Sequence, residues 1–72
     1  MQVNDSGVYK INEKLIRPAK VIKVNEDGTA DIMVFTHPDD YPEFSQAECA
    51  SGNGFRRSVT EGMGNNEFEP KR

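Results

Sequence analysis

Seven of the eleven Val, Ile and Leu residues of this 72-residue chain lie between Leu15 and Val34, on either side of the tetrapeptide Asn25-Glu26-Asp27-Gly28. That arrangement dictates a β-hairpin. Asn favours the first position of a type I turn, and Gly28 can take the left-handed conformation that closes a three-residue hairpin loop with a bulge. Setting Asn25 opposite Thr29 fixes an expected register. Val24 then faces Ala30, Ile22 faces Ile32 and Lys20 faces Val34 on one side. On the other side Lys23 faces Asp31, Val21 faces Met33 and Ala19 faces Phe35. Apolar residues meet apolar residues and the opposite charges meet each other, as a correct register requires. The face of Ile22, Ile32, Val24 and Ala30 is the expected core.

The rest of the chain supplies shorter pieces. Val8-Tyr9-Lys10-Ile11 alternates and predicts an edge strand, and Phe55-Arg56-Arg57-Ser58-Val59-Thr60 predicts another. Asn66-Glu67-Phe68-Glu69-Pro70 predicts a short last strand. From Thr36 to Gly54 the composition turns polar and is punctuated by Pro38 and Pro42, which reads as a long irregular loop. Within it, Ser45 followed three residues later by Glu48 is a capping box, predicting one helical turn over Gln46–Ala50, stopped by Ser51-Gly52. The expected fold is therefore all-β: a small SH3-like, partly open barrel built on the central hairpin, one domain spanning 1–72, with 1–7 and 70–72 as mobile tails.

Arg17-Pro18-Ala19, a Val/Ile strand, the Asn-Glu-Asp-Gly turn and Ile32-Met33-Val34-Phe35 together resemble a group of small proteins encoded in tailed-bacteriophage genomes. In that group an Arg-Pro-Ala strand opens a hairpin ending in a Val-Phe pair, and a variable loop, a short Ser-Val strand and an aromatic-Pro ending follow. Ser58-Val59 and Phe68-Glu69-Pro70 would be those last elements here, with Phe68 where the group usually has Trp. The resemblance covers residues 15–36 best. It implies a small β-barrel of phage origin, acting in the cytoplasm of an infected bacterial host, for which the group offers no assigned catalytic residue.

Length and composition narrow the functional classes. A chain this short buries only about 60% of its unfolded surface. Its single Cys forms no internal disulfide, and no Cys/His cluster offers a structural zinc. A homo-oligomer or a partner is the expected source of further stability. Both faces of the hairpin are partly apolar, and Val21, Met33 and Phe35 on the second face are the candidate oligomer interface. No apolar run is long enough to span a membrane, and the acidic, polar Met1-Gln2-Val3-Asn4-Asp5 is unlike a signal peptide. Net charge is −3, with the whole acidic excess in residues 36–72. That balance argues against direct nucleic-acid binding.

Three clusters carry candidate chemistry. His37, Asp39, Asp40 and Glu43 have metal-ligand side chains but no metal-binding spacing, so no metal is expected, and no cofactor motif is present. Cys49 lacks the base and oxyanion donors of a nucleophile, so no enzyme activity is expected. Gly52-Asn53-Gly54 followed by Arg56 and Arg57 has flexible backbone and guanidinium forks suited to a phosphate, which nominates Asn53, Arg56 and Arg57 as a nucleotide site, the alternative being a turn with one Arg in solvent and the other paired to Glu48 or Glu61. Asp39-Asp40-Tyr41-Pro42-Glu43-Phe44 interleaves acids with aromatics, and Asp39, Asp40, Tyr41, Glu43 and Phe44 are the candidate contact for a basic protein partner, the alternative being that Tyr41 and Phe44 fold back to cap one end of the barrel. The expected function is a non-enzymatic phage protein that occupies a host protein, such as a defence factor. The alternatives are an oligomer that sequesters a nucleotide signal, and a virion or assembly component.

Overall fold

The structure is a computed structural model that describes residues 1–71. Five strands, β1 (Ser6–Asn12), β2 (Leu15–Val24), β3 (Ala30–Phe35), β4 (Asn53–Val59) and β5 (Glu67–Pro70), form one antiparallel sheet in the order β4-β3-β2-β1-β5. One short helix, α1 (Gln46–Ser51), interrupts the path from β3 to β4. The all-β expectation therefore holds. The sheet curls until the chain leaving β4 lies beside β5, where the Phe68 N–H donates to the Thr60 carbonyl at 3.0 Å and the Gly62 N–H donates to the Phe68 carbonyl at 3.0 Å. This strand order and partial closure are compatible with an SH3-like barrel.

The hairpin turn forms as its residues dictate. Gly28 sits at φ 89°, its N–H donates to the Asn25 carbonyl at 3.1 Å, and the Asn25 N–H donates to the Thr29 carbonyl at 2.8 Å. Next to the turn the expected pairs are present, Val24 with Ala30 and Lys23 with Asp31. Beyond them the register differs. A bulge at Ile22 shifts the pairing by one, so Val21 pairs with Ile32, Lys20 with Met33 and Ala19 with Val34. Val21 is thereby 0% exposed and Ile22 43% exposed, the reverse of the expectation.

The cause is the double duty of β2. Its first residues, Leu15 to Lys20, pair with β1, while Ala19 to Val24 pair with β3. A strand shared between the two halves of a curled sheet must bend, and a bulge supplies the bend and extra twist. At that point the N-terminal segment also grips the strand: the Val21 N–H donates to the Asp5 carbonyl at 2.9 Å, and the Asn4 N–H donates to the Val21 carbonyl at 2.8 Å. Residues 1–7 are consequently not a free tail. Ser6, Gly7 and Pro70 all lie in strands, Gly7 pairs with Pro70, and half-buried Met1 packs against the core. Arg72 lies outside the described residues.

The core comprises Tyr9, Ala19, Val21, Ala30, Ile32, Val34, Phe44, Cys49, Val59 and Phe68. Gly7 is required where β1 crosses β5, because a Cβ there would collide with the Glu69 carbonyl and stand 2.8 Å from the Phe68 ring. The capping box of α1 is present in both directions: the Ser45 hydroxyl accepts from the Glu48 N–H at 3.2 Å, and the Glu48 carboxylate accepts from the Ser45 N–H at 3.0 Å. Gly52, at φ 76°, ends the helix as a left-handed cap.

Candidate functional site

The loop from Thr36 to Ser45 is held by two arginines that reach it from different strands, each in an ion pair, Arg17 with Asp40 of the loop and Arg56 with Glu48 of α1. Arg17 alternates with the core residues Ala19 and Val21 along β2, so its side chain starts on the inner face of the sheet. Its guanidinium closes on the buried Asp40 carboxylate as a fork, with Nε to Oδ2 at 2.8 Å and Nη2 to Oδ1 at 2.6 Å. The His37 N–H adds a third donor to Oδ2 at 2.8 Å. Hydrogen bonding from Arg17 is the main cause that holds the Asp40 carboxyl below the usual carboxylate range, and Asp40 in turn raises the Arg17 guanidinium.

The second pair lies at the other end of the loop. Arg56 on β4 donates to the Glu48 carboxylate at 2.9 Å and to the Phe55 carbonyl at 2.7 Å, and its guanidinium stacks 4.4 Å from the centre of the Phe44 ring. Phe44 is buried against Gly54, where a Cβ would stand 2.8 Å from the ring. Burial pushes the Glu48 carboxyl up, but the Ser45 N–H and Arg56 outweigh it and leave the group below its ordinary range. Burial also pushes the Tyr9 phenol up; its hydroxyl donates to the Asn66 side-chain oxygen at 3.2 Å.

These pairs sort the expected contact residues into two sets. Asp40 and Phe44 are interior and build the loop rather than meet a partner. Asp39, Tyr41 and Glu43 are outside, with Tyr41 58% exposed. Tyr41 borders a cleft of about 320 Å³ between the loop and α1, lined also by Pro38, Gln46, Cys49 and Ala50. The Cys49 thiol itself is buried and directed at the Phe44 carbonyl, 3.7 Å away. Among the described residues no group of three His, Cys, Asp or Glu side chains is placed to hold a metal ion.

The nucleotide candidates do not converge. Arg56 turns inward and is engaged by Glu48 and Phe44, whereas Arg57, one position along the strand, is exposed. Asn53 is exposed, with its side-chain amide turned 3.5 Å from the Ser51 carbonyl. The oligomer candidates separate too: Val21 is in the core, Met33 is half-buried and Phe35 is exposed. The Arg17–Asp40 fork has no counterpart among the sequence expectations, because the expected register put Ala19 and Val21, and Arg17 with them, on the face opposite the expected core, and only the bulge at Ile22 turns that face inward. Comparison with protein-family models, with curated proteins and with solved structures finds no match to the chain.

Proposed function

We propose that the protein is a non-enzymatic, phage-encoded binding module that occupies a basic surface of a host protein in the host cytoplasm, using Tyr41 with Asp39 and Glu43 as the contact. The observation that carries this reading is the contrast within one hexapeptide. Asp40 and Phe44 are locked inside by Arg17 and Arg56, while Tyr41 is presented to solvent between two carboxylates. A loop held in advance loses little entropy when it docks, and an exposed Tyr with flanking acids offers an anchor and a steering charge. The resemblance of residues 15–36 to phage proteins supports the origin. Sequestration of a nucleotide by Arg56 and Arg57 fits less well, because Arg56 is committed to Glu48.

The test is capture of proteins from bacterial host extract on the immobilised protein. A basic protein retained by the wild type is expected to be lost with Tyr41→Ala and with Asp39→Asn combined with Glu43→Gln, all at unchanged melting temperature. Retention by both variants overturns the reading.

A further inference from the structure

The solvent face of β2, β3 and β4 carries two exposed aromatic side chains, Phe35 at 43% and Phe55 at 57%. Pairing of Met33 with Phe55 and of Phe35 with Asn53 makes the two aromatics diagonal neighbours on adjacent strands of one face. Diagonal neighbours of this kind are about 7–8 Å apart, within reach of a common ligand. Met33, half-buried, pairs directly with Phe55 on the same face, and Ile22, displaced outward by the bulge, extends the patch.

The charges around the patch are mostly positive. Lys20 pairs with Met33 and Lys23 with Asp31, which places both lysines on the same face, and Arg57 leaves the β4 bulge opposite Asp31. Asp31 is the only acid on these three strands, and its Oδ1 already accepts from the Ser58 N–H at 3.0 Å and the Asn25 amide at 3.1 Å. Glu26 and Asp27 lie beyond Lys23 in the turn, and Asp27 is taken up by Thr29. Three cations against one occupied carboxylate reverse, on this face, the sign of the net charge of −3.

We propose that this face binds single-stranded nucleic acid, with Phe55 and Phe35 stacking on bases and Lys20, Lys23 and Arg57 contacting the backbone. Exposed rings on a sheet suit bases of any sequence, and flanking cations suit phosphates. A second copy is the other occupant an apolar face invites, but face-to-face pairing would bring together two faces that both carry three cations against one carboxylate. The net charge of the chain, which argued against nucleic acid, averages over faces and so misses a local excess. This surface is independent of the Tyr41 loop.

The test is fluorescence anisotropy with labelled single strands of about twelve nucleotides, oligothymidylate and oligouridylate, which separates DNA from RNA. Binding of at least one strand at micromolar protein is expected. Its affinity should fall with salt with a log–log slope of about −2, the value for three phosphate contacts on a single strand. Phe55→Ala and Phe35→Ala should each weaken binding about five- to a hundred-fold, the scale of one base–aromatic stack. Phe55→Tyr should retain it, Lys20→Ala combined with Arg57→Ala should flatten the salt slope to about −0.7, and Tyr41→Ala should change nothing. Failure of the wild type to bind either strand, or binding indifferent to both Phe substitutions, overturns the proposal. Sedimentation showing a dimer that Phe55→Ala dissociates also overturns it, by making the face an interface between copies.

Discussion

Arg17 and Asp40, twenty-three positions apart, are joined by a two-pronged ion pair that ties the second strand to the loop after the third. The Asp40 side chain is 1% exposed and that of Arg17 30%. A carboxylate so buried is tolerable only while its partners are in place, so the pair acts as a latch for the loop more than as a surplus of stability. Arg17→Ala strands the charge of Asp40 and is expected to cost about 2–3 kcal/mol. Asp40→Asn keeps one oxygen for Arg17 Nε and the His37 N–H but sets its NH2 against the Arg17 Nη2 donor, so it is expected to cost a comparable amount. Urea unfolding of the two single variants and the double variant measures the coupling.

Stability should fall in acid. The folded-state value of Asp40 is depressed, so its contribution is fully present above the unfolded carboxyl value of about 3.9 and disappears as pH drops through the lower folded value. Glu48, also depressed, acts in the same direction. Melting temperature measured from pH 7 down to about pH 2 should decline mainly below pH 4, and Asp40→Asn should decline less steeply than the wild type.

Tyr41 and Phe44 are three residues apart and should respond oppositely to truncation. Phe44→Ala opens a cavity under the Arg56 guanidinium and beside Gly54, at a cost of about 3–5 kcal/mol. Tyr41→Ala removes an exposed ring and should stay within about 0.5 kcal/mol. Equal losses in thermal unfolding would contradict the division of this loop into inner and outer residues.

The bulge in β2 makes an equally direct prediction. Val21→Ala should cost about 2 kcal/mol and Ile22→Ala under about 1, because only the former empties core volume. The uninterrupted register expected from sequence gives the reverse order, so denaturant midpoints of the two variants decide between them.

At the crossing of β1 and β5, Gly7→Ala should destabilise by about 1–3 kcal/mol, the usual cost of overpacking. The added methyl meets the Glu69 carbonyl and the Phe68 ring, neither of which can retreat without unpairing β5. Hydrogen exchange should then show faster amides at Phe68 and in β1 while the β2–β3 hairpin stays protected.

Local chemistry was legible in the residues themselves. Asn25-Glu26-Asp27-Gly28 specified its own turn, Ser45 and Glu48 specified their helix start, and alternation marked the strands to within a few residues. Each depends on groups within four positions of one another, so the sequence states them directly. The inner and outer assignment of β2 was not legible, since either register buries some apolar residues. Curling β2 between two partner strands is what chose Val21 over Ile22. For the same reason Asp40 and Phe44 looked like their exposed neighbours Asp39 and Tyr41. Only Arg17 and Arg56, arriving from strands remote in sequence, made them interior. By itself, then, the chain determined an all-β fold around one hairpin. Tertiary structure decided which of its charged and aromatic side chains face water, because burial is a property of surfaces brought together over long separations and not of any residue alone.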